Sequence, residues 1–136
     1  MVARLARALN ASAAAADLSP SQASALGLIV SHAPLGVAEL AEIEGLNPTM
    51  VSRIVRKLTD MGLVTRVPGQ GDLRTVTVEP TSRGRTVARR IRTARDAIVA
   101  DCVSRLGTTD IDAITAALAA LEALADELQS RPRAPA

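Results

Sequence analysis

The sequence predicts a mainly α-helical fold that carries one small β-hairpin. Three observations predict it. Aliphatic residues recur at spacings of three and four over most of the 136 residues. Ser-Pro, Asn-Pro and single glycines punctuate that pattern where helices start and stop. One stretch, residues 63–78, changes to a period of two around a Pro-Gly-Gln-Gly turn.

The first helix is expected over 2–16, with Val2, Leu5 and Leu9 on one face. Ser19 then reads as an N-cap and Pro20 as the first helical residue of a second helix. Leu26, Ile29 and Val30 mark its apolar face, and it stops before Pro34. Val37–Glu44 reads as a short third helix, with Val37, Leu40, Ala41 and Ile43 inward and Gly45 as its stop.

Asn47-Pro48 repeats the start signal, and the fourth helix runs to about Met61 before Gly62. Val51, Ile54, Val55 and Leu58 fall on one face. Thr49, Ser52, Arg53 and Arg56 share the opposite face, and Lys57 stands beside them. Short hydroxyls near a helix N-terminus, followed by arginines, suit major-groove reading, because the first turns reach base edges and arginine pairs bidentately with guanine. An ordinary amphipathic surface helix has the same pattern.

Leu63–Val67 and Leu73–Val78 read as the two strands of the hairpin, with Asp72 and Arg74 at its mouth. Glu79-Pro80 ends it, and Thr81 or Ser82 caps a long helix over 82–106. That helix carries a stripe of Val87, Ile91, Ala94, Ile98, Cys102 and Leu106. After Gly107 a last helix runs to about Gln129, with Ile111, Ile114, Leu118, Leu121, Ala125 and Leu128 at heptad spacing. Residues 130–136 read as a flexible tail.

Composition narrows the function. The chain has no Phe, Tyr or Trp, so its core is aliphatic and it lacks the stacking platforms of single-strand binders. A lone cysteine excludes an intrachain disulfide and fits a reducing cytoplasm. No apolar run is long enough for a membrane span. Asn10 and Ser12 interrupt the N-terminal stretch that a signal peptide would need to keep apolar. The formal net charge of +2 conceals a split. Residues 47–95 hold eleven basic and three acidic groups, a charge of +8, whereas the rest of the chain carries −6. A basic segment in an otherwise acidic chain is the electrostatic footprint of a nucleic-acid surface. A solvated helix face is the plainer alternative.

Two short helices, a reading helix and a hairpin form the order of a winged helix-turn-helix. The sequence resembles the MarR family of bacterial transcription regulators at Leu18–Gln22, Pro34–Ala41, Asn47–Arg53, Leu58, Gly62–Val64, Arg66, Asp72–Arg74 and Arg83–Arg85. The resemblance implies one domain over 1–136, with a DNA-binding lobe at 19–92 and dimerisation helices at 1–16 and 93–129. It implies a homodimer on pseudo-palindromic double-stranded DNA, usually for repression, with a small-molecule effector as a further partner. In the family a wing arginine enters the minor groove and a wing aspartate orients it, roles that fall on Arg74 and Asp72. Thr49, Ser52, Arg53, Arg56 and Lys57 fall where the family reads the major groove, and Ser19, Ser21 and Arg66 are candidates for backbone contacts. Leu73 stands where the family commonly carries a basic residue.

No nucleophile–base set or phosphate loop can be assembled from one His and one Cys, so no enzyme, metal or cofactor is expected. His32 is read as a helix-end cap or a ligand contact, and Cys102, on the apolar stripe, as an inert core thiol. A winged-helix interaction module without DNA binding, and a DNA binder without an effector, are the competing functions.

Overall fold

A computed structural model describes residues 2–14, 16–68 and 76–130. Its elements are α1 (Val2–Ala14), α2 (Pro20–His32), β1 (Leu35–Gly36), α3 (Val37–Glu44), α4 (Pro48–Asp60), β2 (Val64–Pro68), β3 (Val76–Pro80), α5 (Ser82–Val103) and α6 (Thr108–Ser130).

The helix signals act through identifiable bonds. At Ser19 a reciprocal capping box forms: the hydroxyl accepts from the Gln22 N–H at 3.3 Å, and Gln22 Oε1 accepts from the Ser19 N–H at 2.9 Å. Asn47 Oδ1 accepts from the Met50 N–H at 2.8 Å, with Pro48 in the first turn. Gly45 (φ 62°) ends α3 in the left-handed conformation, and its N–H reaches the Glu42 carbonyl. α1 ends earlier than the sequence suggests: the chain turns at Ala16–Asp17, Asp17 adopts φ 55°, and the Leu18 N–H returns to the Ala13 carbonyl.

The expected two-stranded hairpin is part of a three-stranded antiparallel sheet in the order β1-β3-β2. β1 is only Leu35–Gly36, paired with Val78 and Thr77. β2 and β3 pair from Val64↔Pro80 to Pro68↔Val76. The expected turn residues 69–71 and the wing pair Asp72 and Arg74 lie outside the described residues, as does the tail from 131. Ser130, expected in that tail, is the last residue of α6.

By its internal contacts the chain divides into two compact parts, Met1–Ile98 and Val99–Ala136. The first has a continuous aliphatic core. Leu26 and Ile29 of α2, Leu35, Leu40 of α3, Val51, Val55 and Leu58 of α4, Leu63, and Val78 of β3 are all fully buried. This core holds α4 by one face and leaves the other open. In the second part, Ile114, Leu118, Leu121, Leu124 and Leu128 of α6 remain 46–59% exposed. The expected α5 stripe is likewise covered only at its start. Ile91 is buried and Val87 half-buried, whereas Ala94 and Ile98 face solvent. Cys102 is exposed, which corrects its reading as a core thiol: heptad spacing identifies the apolar face, but no part of the described chain covers it there.

Candidate nucleic-acid interface

α4 carries the candidate surface. Its burial alternates as the wheel requires, with Val51, Ile54, Val55 and Leu58 buried and Thr49, Ser52, Arg53, Arg56 and Lys57 exposed. The only ion pair among the described residues joins Arg105 and Asp101 at 2.6 Å, on the other part of the chain. The cations of α4 are therefore not neutralised by a described carboxylate, and they keep their charge for an external anion. Ser21 and Arg66 are exposed too. Ser19 is exposed, but its oxygen is already engaged in the capping box, which leaves its O–H to donate.

The end of α4 is fastened to the start of α5 by a junction that the sequence reading did not foresee. The Thr81 hydroxyl donates to the Gly62 carbonyl at 2.7 Å and accepts from the Gly84 N–H at 3.0 Å. The Thr81 N–H donates to the Leu63 carbonyl at 3.0 Å. Gly84 is buried against that same carbonyl, and a Cβ added there would lie 1.9 Å from the Leu63 oxygen. Glycine is required at this point for close approach of two backbones, not for an unusual φ. Thr81 thus caps α5, as expected, and also ties it to the turn that terminates α4.

α5 is the second basic element. Arg83, Arg85, Arg89, Arg90 and Arg92 are exposed. Arg85, Arg89, Arg92 and Arg95 line one side of a groove of about 560 Å³ whose other wall includes Ser24, Gly27 and Ser31 of α2. The Nε atom of Arg95 is buried there without a hydrogen-bond partner among the described residues. The spacing of four and three between Arg85, Arg89 and Arg92 could have flagged this row from sequence; that α2 faces it could not. His32 Nδ1 lies 3.1 Å from the Leu28 carbonyl, as a helix-end cap would. No group of three or more His, Cys, Asp or Glu among the described residues could hold a metal ion. Nor, among those residues, is any helix long and apolar enough to cross a membrane.

A helix held by one face, its cationic face open, and a small antiparallel sheet directly after it define a winged helix-turn-helix protein. The family model for the MarR family matches residues 18–76. The HTH-type transcriptional regulator MT0903.1 of Mycobacterium tuberculosis is 31% identical over 126 residues, covering 93% of this chain and 88% of that protein. The crystal structure of Rv1404 from Mycobacterium tuberculosis superposes with a TM-score of 0.80 at 26% identity, over 96% of this chain and 88% of the other. Streptococcus pneumoniae FabT, crystallised in complex with DNA, shares the fold with a TM-score of 0.73 at 19% identity, over 82% and 78% of the two chains. The chain belongs to the MarR family. It is a DNA-binding transcriptional regulator and not an enzyme.

Proposed function

We propose that the protein is a cytoplasmic repressor that binds a pseudo-palindromic operator as a homodimer and is released by a small-molecule effector. The observation that carries the DNA-reading part is the exposed, unneutralised cationic face of α4 above a buried opposite face. In this reading Thr49, Ser52, Arg53, Arg56 and Lys57 enter the major groove. Arg74 enters the minor groove beside it, where a narrow groove concentrates negative potential, and Asp72 holds the guanidinium in place. Ser19, Ser21 and Arg66 contact phosphates and set the register without reading sequence.

The dimer reading is supported by the aliphatic face of α6, since an exposed stripe of that size on a soluble chain is normally an interface. Segments 1–16 and 93–129 supply the dimer contacts and 19–92 the DNA contacts. The effector reading is supported by the groove beside α5, whose volume of about 560 Å³ lies within the range of small-molecule sites. Its arginines favour an anionic effector.

A gel shift on the DNA upstream of the protein's own gene tests the reading. A discrete complex that disappears with an unrelated competitor only at large excess is expected. Equal competition by any duplex would contradict sequence-specific regulation. The wing is tested by a cycle on the same DNA. Asp72→Ala removes a negative charge near a polyanion, so simple electrostatics predicts tighter binding. If Asp72 orients Arg74, Asp72→Ala instead weakens binding, and the double variant is little worse than Arg74→Ala. Tighter binding or clean additivity would remove the orienting role.

A further inference from the structure

The polar face of α4 includes one residue of the wrong chemistry. Met50 is 51% exposed in the first turn of the helix. The other large aliphatic residues exposed among the described residues lie on α1, at the far end of α5 and just beyond it, on α6, and at Val76 of β3. Met50 is thus the only one on the helix that carries the candidate base-reading residues.

Its position is defined. The Met50 N–H is fixed by Asn47 Oδ1 at 2.8 Å, which anchors the first turn. Arg53 follows three residues later and Lys57 seven residues later, so the three share one flank of α4. Its polar neighbours Thr49, Arg53 and Lys57 are exposed, so no wider apolar patch surrounds it of the kind a protein partner would cover. What remains is a flexible, polarisable thioether among groups suited to polar base edges and phosphates.

The major groove offers one apolar feature, the 5-methyl group of thymine. We infer that Met50 is a specificity-determining residue that packs on a thymine 5-methyl group in each operator half-site. This rests on the reading of α4 as the helix in the major groove. Ser52 and the arginine guanidinium groups offer no such contact; Thr49 carries one methyl group that does, and the comparison with Met50→Ala separates the two. The Met50 contact selects T·A over C·G at one position by apolar contact, while Arg53 or Arg56 selects guanine nearby by hydrogen bonding.

The test exploits uracil, which differs from thymine only by that methyl group and keeps the same hydrogen-bonding edge. An operator is first selected from randomised duplexes with the full chain. Each thymine in a half-site is then replaced by uracil, and affinities are measured for the wild type and Met50→Ala. Burial of one methyl-sized group is expected to weigh about fourfold per half-site, and about fifteenfold with both half-sites substituted. The wild type is expected to show one such sensitive thymine per half-site, and Met50→Ala to lose that sensitivity while keeping its response at every other position. Met50→Leu, which stays apolar, is expected to retain part of it. If the wild type selects no sequence, the base-reading role of α4 fails, and this inference with it. If it selects an operator with no sensitive thymine, or if the two uracil profiles superimpose, the assignment of Met50 alone is overturned.

Discussion

The residues from Leu26 to Val78 and those from Val99 to Ser130 are built from the same aliphatic alphabet and reach opposite ends. In the first region most of the described leucines, isoleucines and valines that carry the pattern are buried or half-buried by their own chain, down to full exclusion of solvent at Leu40, Val55 and Val78, with Val76 as an exposed exception. In the second, Leu118, Leu121, Leu124 and Leu128 are each more than half exposed. The heptad spacing of α6 is as regular as the spacing of α4. Periodicity therefore specifies which face is apolar, and the availability of a second layer decides whether one chain can use it. In the lobe that layer is local, because α2, α3, α4 and the sheet are joined by short connections. The α6 stripe has no such layer among the described residues, and in the proposed homodimer a second copy supplies it.

Deleting core volume in the lobe should produce the largest effect. Leu58→Ala removes a fully buried side chain from α4, and chemical denaturation should show a loss of ~2–5 kcal/mol. A loss under ~1 kcal/mol would mean that the lobe core is less closed than described. The matching change in the other region should act on assembly. Placing charge on its stripe with Leu118→Glu and Leu121→Glu together should weaken self-association by at least about a hundredfold, read by light scattering. A stable wild-type monomer at micromolar concentration would show that the α6 stripe stays uncovered in solution.

The junction between α4 and α5 should respond next. Gly84→Ala drives a Cβ into the Leu63 carbonyl and should cost ~1–3 kcal/mol, an overpacking penalty. Thr81→Val keeps the shape but leaves the Gly84 N–H without its acceptor, and should cost ~1–3 kcal/mol, with Thr81→Ser restoring most of it. Thermal or denaturant melts of the three variants check both. Cys102→Ser should have the smallest effect, within ~0.5 kcal/mol, as for an exposed position. A larger loss would place Cys102 in the self-association face and would sharpen the boundary between the two regions.

The sequence carried much of the lobe because its punctuation is local. Ser19-Pro20, Asn47-Pro48 and Gly45 each satisfy backbone groups within a few residues, so their roles follow from neighbouring chemistry. β1 was not legible: a two-residue strand has no period, and its partners Val78 and Thr77 lie 43 and 41 residues away in the chain. The contact of Gly84 with Leu63 is tertiary and leaves no local trace. The α4 surface was legible as a set, because burial of Val51, Ile54, Val55 and Leu58 dictates what faces outward. Met50 was missed because it sits at the border of that wheel, where spacing alone assigns no side. Cys102 was misread because its stripe was assumed to be covered throughout.

Whether the open face of α4 reads base sequence is decided by a salt-controlled titration of the wild type, Arg53→Ala and Arg56→Ala on the selected operator and on an unrelated duplex. A base-reading arginine should cost ~1–3 kcal/mol on the operator and relax specificity at one position, whereas a phosphate contact should weaken both duplexes alike. At least one of the two variants is expected to lose its preference for the operator. Wild-type affinity and preference in both variants would contradict it.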